Sequence, residues 1–66
     1  MDNVRLSIRA WRRARRISKE KMATLLGVHT NTYSRWEGNP KDISVINAER
    51  IAKILGVRFE DINFLE

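Results

Sequence analysis

Apolar residues recur along this chain at three- and four-residue steps, the spacing of one buried helical face. Val4, Ile8 and Trp11 stand at i, i+4 and i+7 and predict a first helix over residues 4 to 15, with Arg5, Arg9, Arg12, Arg13 and Arg16 on the flank beside the stripe. Ser18 reads as an N-cap, because its hydroxyl can accept a bond from an otherwise orphaned backbone N–H, and Glu20 suits the positive end of the helix that follows. That second helix runs from about Lys19 to Leu26. Gly27 then falls where a helix end needs positive φ, so the chain turns sharply. A third helix, about Thr30 to Glu37, is stopped by Gly38, and Asn39-Pro40 marks a turn. Ser44 can cap a fourth helix with a buried face of Val45, Ala48, Ile51, Ala52 and Leu55, ended by Gly56. Phe59 to Leu65 reads as a short fifth helix closing the core with Phe59 and Ile62, with strand as the alternative for so short an apolar piece. The predicted class is all-α, a compact orthogonal bundle of five short helices.

Length limits this bundle to one small core, so residues 1–66 are read as a single domain. There is no cysteine to staple it, and the lone His29 has no partner for a zinc site, so no metal is expected. No apolar run is long enough to span a bilayer and no signal peptide is evident, which makes the cytoplasm the expected compartment.

Charge is more informative than length. The formal net charge is +5, and eight of the thirteen Lys and Arg residues lie in the first 21 positions, while Glu60, Asp61 and Glu66 outnumber Arg58 at the other end. A basic pole of this kind suits a polyanion bound on one side. Arginine-rich helix surfaces also serve solubility alone, so charge by itself leaves the choice open. Enzyme chemistry is disfavoured: short helices provide no phosphate-cradling βα unit, and no carboxylate pair, nucleophile–base couple or metal set can be assembled. No cofactor or small-molecule ligand is expected.

Residues 19 to 38 carry the most information. Met22, Leu26, Val28, Tyr33 and Trp36 can meet on one interior side of two helices flanking a glycine, and Ala23 lies where those helices cross closest. This is the requirement of a helix-turn-helix, in which the second helix projects into a groove about 12 Å wide. Trp11, Tyr33 and Trp36 could instead be stacking platforms for single strands, but their helical spacing favours the core.

The chain resembles the lambda-repressor-like, Cro/C1-type (XRE) helix-turn-helix family. The marks are Trp11-Arg12, Ile17-Ser18-Lys19-Glu20, Met22-Ala23, Leu26-Gly27-Val28, Tyr33-Ser34-Arg35-Trp36-Glu37-Gly38 and Ile51-Ala52-Lys53-Ile54-Leu55-Gly56-Val57, all in order over nearly the whole chain. The resemblance implies that the third helix is the recognition helix, with Thr30, Asn31, Thr32 and Arg35 at base-reading positions. Their chemistry fits: Asn pairs bidentately with adenine, Arg forks onto guanine, and Thr methyls touch thymine. Lys19 stands where the family often carries Gln, and a flexible ammonium favours phosphate there. Arg9, Arg13, Asn39 and Lys41 are further phosphate candidates, as is Ser34 on the helix flank. Arg12 and Glu37 are implied to meet as an ion pair bracing the first helix against the third.

Two departures stand out. Arg16 occupies a position where glycine often ends the first helix, and His29 one where Ser or Thr usually caps the third, so both helix ends should be weakened. The implied function is a sequence-specific double-stranded DNA-binding regulator, a repressor acting as a homodimer on a palindromic operator with half-sites about 34 Å apart. Ile46, Phe64 and Leu65 are candidates for the subunit contact, although Phe64 and Leu65 serve equally well as caps on the bundle. The initial Met and the lack of an effector domain suit a short phage or prophage regulator, and the N-terminal domain of a longer repressor is the alternative. An antitoxin or a protein-interaction module on the same fold completes the set of readings.

Overall fold

The computed structural model describes residues 4–65; Glu66, counted above in the acidic end, and residues 1–3 lie outside them. Four α-helices follow in order: α1 (Ile8–Ala14), α2 (Lys19–Leu26), α3 (Thr30–Gly38) and α4 (Val45–Leu55), with 3₁₀ turns at Pro40–Asp42 and Phe59–Asp61. The bundle is all-helical, as the periodicity predicts, but the fifth helix is replaced by a single 3₁₀ turn and an extended stretch. Ile62 pairs in a parallel bridge with Leu6. Leu6 N–H donates to the Asp61 carbonyl at 3.3 Å and Asn63 N–H donates to the Leu6 carbonyl at 2.9 Å. Backbone groups on this segment are thus satisfied across the two ends of the chain rather than within a helix.

The same pairing explains why α1 starts late. Leu6 is held extended, and Ser7 rather than an earlier residue becomes the N-cap, its Oγ accepting from Ala10 N–H at 3.1 Å. Val4 therefore lies outside the helix and is exposed, so the predicted stripe keeps only Ile8 and Trp11. Ser18 and Ser44 cap α2 and α4 as their sequence positions predict.

α2 packs chiefly against α3, and α4 lies against α2. Tyr33, Ile8, Met22, Leu26, Ile51, Leu55 and Ile62 are the large side chains fully withdrawn from solvent between them. Two further predicted core positions fall outside. Val45 is 67% exposed and Phe59 42% exposed, because the bundle ends at Ala48 and both side chains instead line a groove there. Phe59 stacks on Phe64 with ring centroids 5.2 Å apart.

Two exposed arginines close helix ends. Arg15 donates from Nε to the Leu55 carbonyl at 2.8 Å while its guanidinium lies 5.1 Å from the Trp11 ring centre, and Arg50 donates from Nη2 to the Leu26 carbonyl at 2.9 Å. Each satisfies a carbonyl that the last turn of a helix leaves unpaired. Among the described residues, no helix is long and apolar enough to cross a membrane.

Candidate nucleic-acid interface

The corner between α2 and α3 rests on Gly27, whose φ of 73° and ψ of 29° are left-handed. Val28 N–H reaches back to the Ala23 carbonyl at 3.0 Å, closing the end of α2 and swinging the chain into α3. His29 then caps α3. Its Nδ1 accepts from Asn31 N–H at 3.1 Å, so the helix start predicted to be weakened keeps a side-chain acceptor, supplied by imidazole in place of a hydroxyl. Sequence reasoning based on hydroxyl caps misses this because a ring nitrogen on an extended residue reaches the N–H two residues on, where the serine caps of the other helices accept from the N–H three residues on.

Within α3, Tyr33 and Glu37 are buried while Asn31, Arg35 and Gly38 are exposed. At about 100° per residue those three lie on one outward line, with Ser34 on one flank and Thr32 on the other. Thr30, Thr32 and Ser34 are half-buried. Among the described residues, the side chains of Asn31 and Arg35 take part in no hydrogen bond or ion pair, so the amide and the guanidinium keep their full donor and acceptor capacity toward an outside partner.

Lys19 and Ser34 are brought together. Lys19 Nζ donates to Ser34 Oγ at 3.2 Å, which ties the start of α2 to the flank of α3. Arg9 is half-exposed, with Nε 3.6 Å from Glu37 Oε1, and it lines a cleft with Ser7 and Gly38. Arg13 is exposed on the last turn of α1. The other two positions are less free: Asn39 donates from Nδ2 to Asp42 Oδ2 at 3.1 Å, and Lys41 lines the groove that holds Val45 and Phe59.

Behind the outward face, Arg12 meets Glu37. Arg12 donates from Nε to Glu37 Oε2 at 2.5 Å, from Nη2 to Oε1 at 3.3 Å, and from Nη1 to the Ile17 carbonyl at 2.8 Å. The Glu37 side chain is wholly buried and that of Arg12 is 10% exposed. Tyr33, one turn before Glu37, buries its hydroxyl beside the pair without a hydrogen bond of good geometry. Burial pushes the Glu37 carboxyl up, but the hydrogen bonding and charge of Arg12 with the nearby Tyr33 hydroxyl outweigh it, and the carboxyl lies below its ordinary value. The bond to Glu37 raises Arg12, and burial raises Tyr33. Both ionic partners are therefore charged at neutral pH, and α1 is locked to α3 by a fork of charge-assisted bonds. The i, i+4 spacing of Tyr33 and Glu37 on one helix was the signal available in the sequence for the tyrosine's place in this cluster.

The arrangement is a fixed helix with one face locked into the core and the opposite face polar and unpaired. Comparison with known proteins agrees with that geometry. The helix-turn-helix family model matches residues 8–62, from the first residue of α1 to the buried Ile62. No curated protein and no solved structure matches the chain. With the match spanning all four helices, the chain belongs to the Cro/C1-type, lambda-repressor-like helix-turn-helix family of DNA-binding regulators.

Proposed function

We propose that this protein is a transcriptional repressor of the phage or prophage type that binds a palindromic operator as a homodimer and acts in the cytoplasm. The observation that carries this reading is the outward line of α3, where Asn31 and Arg35 are exposed and unpaired on a helix whose opposite side is fixed by Tyr33 and Glu37. Asn31 pairs with adenine and Arg35 with guanine in the major groove, and the Thr30 and Thr32 methyls meet thymine at the start of the helix. Lys19, with Ser34 beside it, Arg9 and Arg13 contact phosphates and set the register of the helix in the groove. Asn39 and Lys41 follow from the next loop.

Pairing two copies is supported by apolar surface that one core does not use. Ile46 is 72% and Leu65 78% exposed, and Leu65 borders a groove of about 220 Å³ with Val45, Phe59 and Phe64. Phe64 is half-buried and already stacked on Phe59, so within this contact Ile46 and Leu65 offer the larger free area.

The test is selection of bound duplexes from a random-sequence DNA pool at one fixed salt concentration, with the wild type, Asn31→Ala and Arg35→Ala. A two-fold-symmetric consensus that degrades at defined positions in the two variants is expected. No enrichment over the input pool by folded protein would overturn operator binding and point to a protein partner instead.

A further inference from the structure

We propose that Arg16, at the corner between α1 and α2, is a DNA phosphate contact retained in a backbone conformation that glycine would occupy with less strain. The inference rests on the DNA-binding reading above and adds to its phosphate contacts on α1 and α2 one at the corner between those helices.

The same closing turn occurs three times in this fold. At the end of α2, Val28 N–H bonds the Ala23 carbonyl around Gly27; at the end of α4, Val57 N–H bonds the Ala52 carbonyl around Gly56; at the end of α1, Ile17 N–H bonds the Arg12 carbonyl around Arg16. The central φ values are 73°, 74° and 58°. Arg16 is the only residue other than glycine with positive φ among those described. An L-residue there sets its Cβ against a carbonyl oxygen, a clash that glycine lacks.

Nothing inside the fold offsets that strain. The Arg16 side chain is exposed and takes part in no hydrogen bond or ion pair among the described residues, whereas Arg12, Arg15 and Arg50 are each committed to a carbonyl or carboxylate. A strained residue that makes no internal contact points to a role outside the molecule. Its position fits a phosphate. Arg16 stands two residues before the α2 cap Ser18 and three before Lys19, whose Nζ bonds Ser34 on the flank of the reading face, so the corner sits at the end of α2 that is tied to α3. A guanidinium presents a fork that matches phosphate oxygens, and exposed Arg13 lies one turn back on α1.

The experiment compares the full chain with Arg16→Gly, Arg16→Ala and Arg16→Lys by thermal melting and by the salt dependence of duplex binding. Arg16→Gly is expected to melt several degrees higher than the wild type yet bind DNA more weakly, with the log–log salt slope smaller in magnitude by about 0.9, or roughly 3.5-fold less affinity lost over a fourfold rise in salt. Arg16→Ala keeps the strain and loses the contact, so it should show the reduced slope without the higher Tm. Arg16→Lys should keep the wild-type slope. An unchanged slope in both Arg16→Gly and Arg16→Ala, with wild-type binding intact, would overturn the contact while leaving the DNA-binding reading standing; an unchanged Tm in Arg16→Gly would overturn the claim of strain. A wild type that binds no duplex at all would overturn both readings.

Discussion

Removing the Glu37 carboxylate should cost this protein much of its stability. In Glu37→Ala the Arg12 guanidinium stays in a pocket where its side chain is 10% exposed, with only the Ile17 carbonyl left as a partner. Breaking a buried pair by deleting one member costs about 3–5 kcal/mol, since the survivor is an uncompensated buried charge. A chain of 66 residues has about 3–10 kcal/mol in total at the usual stability per residue, so the loss is a large share of it. At about 4–8 °C per kcal/mol for a domain near this size, the Tm should fall by roughly 12 °C or more. Glu49→Ala, at an exposed position on α4, is the control and should move the Tm little. Arg12→Met should be milder than Glu37→Ala, because Arg9, 3.6 Å from the same carboxylate, remains as a second cation for Glu37. Melting followed by circular dichroism at 222 nm, with urea titration as a second measure, reads all three. Equal Tm values for Glu37→Ala and Glu49→Ala would refute the reasoning that this pair braces α1 against α3.

The remaining expectations follow from the caps and charges. Stability should decline in acid as pH falls below about 4.5, the ordinary value for a glutamate, toward the lower folded value of Glu37, because a depressed carboxyl stabilises the fold only while ionised; Tm measured from pH 7 to pH 3 should fall less in Glu37→Gln than in the wild type. His29→Asp supplies a stronger cap and a negative charge at the start of α3, so it should raise stability by about 0.5–1 kcal/mol in urea titration while weakening DNA binding at the reading face. Gly27→Ala should cost about 1 kcal/mol through backbone strain alone, since a Cβ there would meet nothing within 4 Å; a loss far larger would mean that the corner is crowded. Paired substitution of Ile46 and Leu65 to Asp should leave the melting of the monomer nearly unchanged and abolish dimers in sedimentation, and a dimer that survives it would remove this surface from the contact.

The sequence exposed most of the helices because their signals are local. Ser18, Ser44, Gly27 and Gly56 act within one turn of themselves, and each does in the structure what its position predicts. The misses share a different cause. Val4 and the expected fifth helix depend on Leu6 meeting Ile62, a contact between residues far apart in sequence that no short-range spacing encodes, and Phe59 lies with Val45 in the groove beyond the core. Val45 has the right period but stands past the point where the bundle stops, and a hydrophobic stripe carries no information about where its neighbour ends. Among the arginines, sequence reasoning treats a basic cluster as one surface. Distances separate it into Arg12, buried on Glu37, Arg9 and Arg15, exposed but bonded to Glu37 and the Leu55 carbonyl, and Arg13 and Arg16, exposed without a partner among the described residues. The side-chain cluster around Glu37 was legible in part, through family resemblance, but the burial that gives it weight is a property of packing.

The bridge between Leu6 and Ile62, with the Trp11 indole N–H donating to the Asp61 carbonyl at 2.9 Å, bears on when the protein comes into being. α2 and α3 are neighbours in the chain and can pair early during synthesis, whereas α1 is made first but finds its outer partner only once Ile62 has left the ribosome. Closing that long loop carries an entropic cost greater than that of pairing α2 with its neighbour α3. Until then α1 is held to α3 through Arg12 and Glu37 but lacks its outer support. The placement of α3 thus depends in part on residues far from it along the sequence.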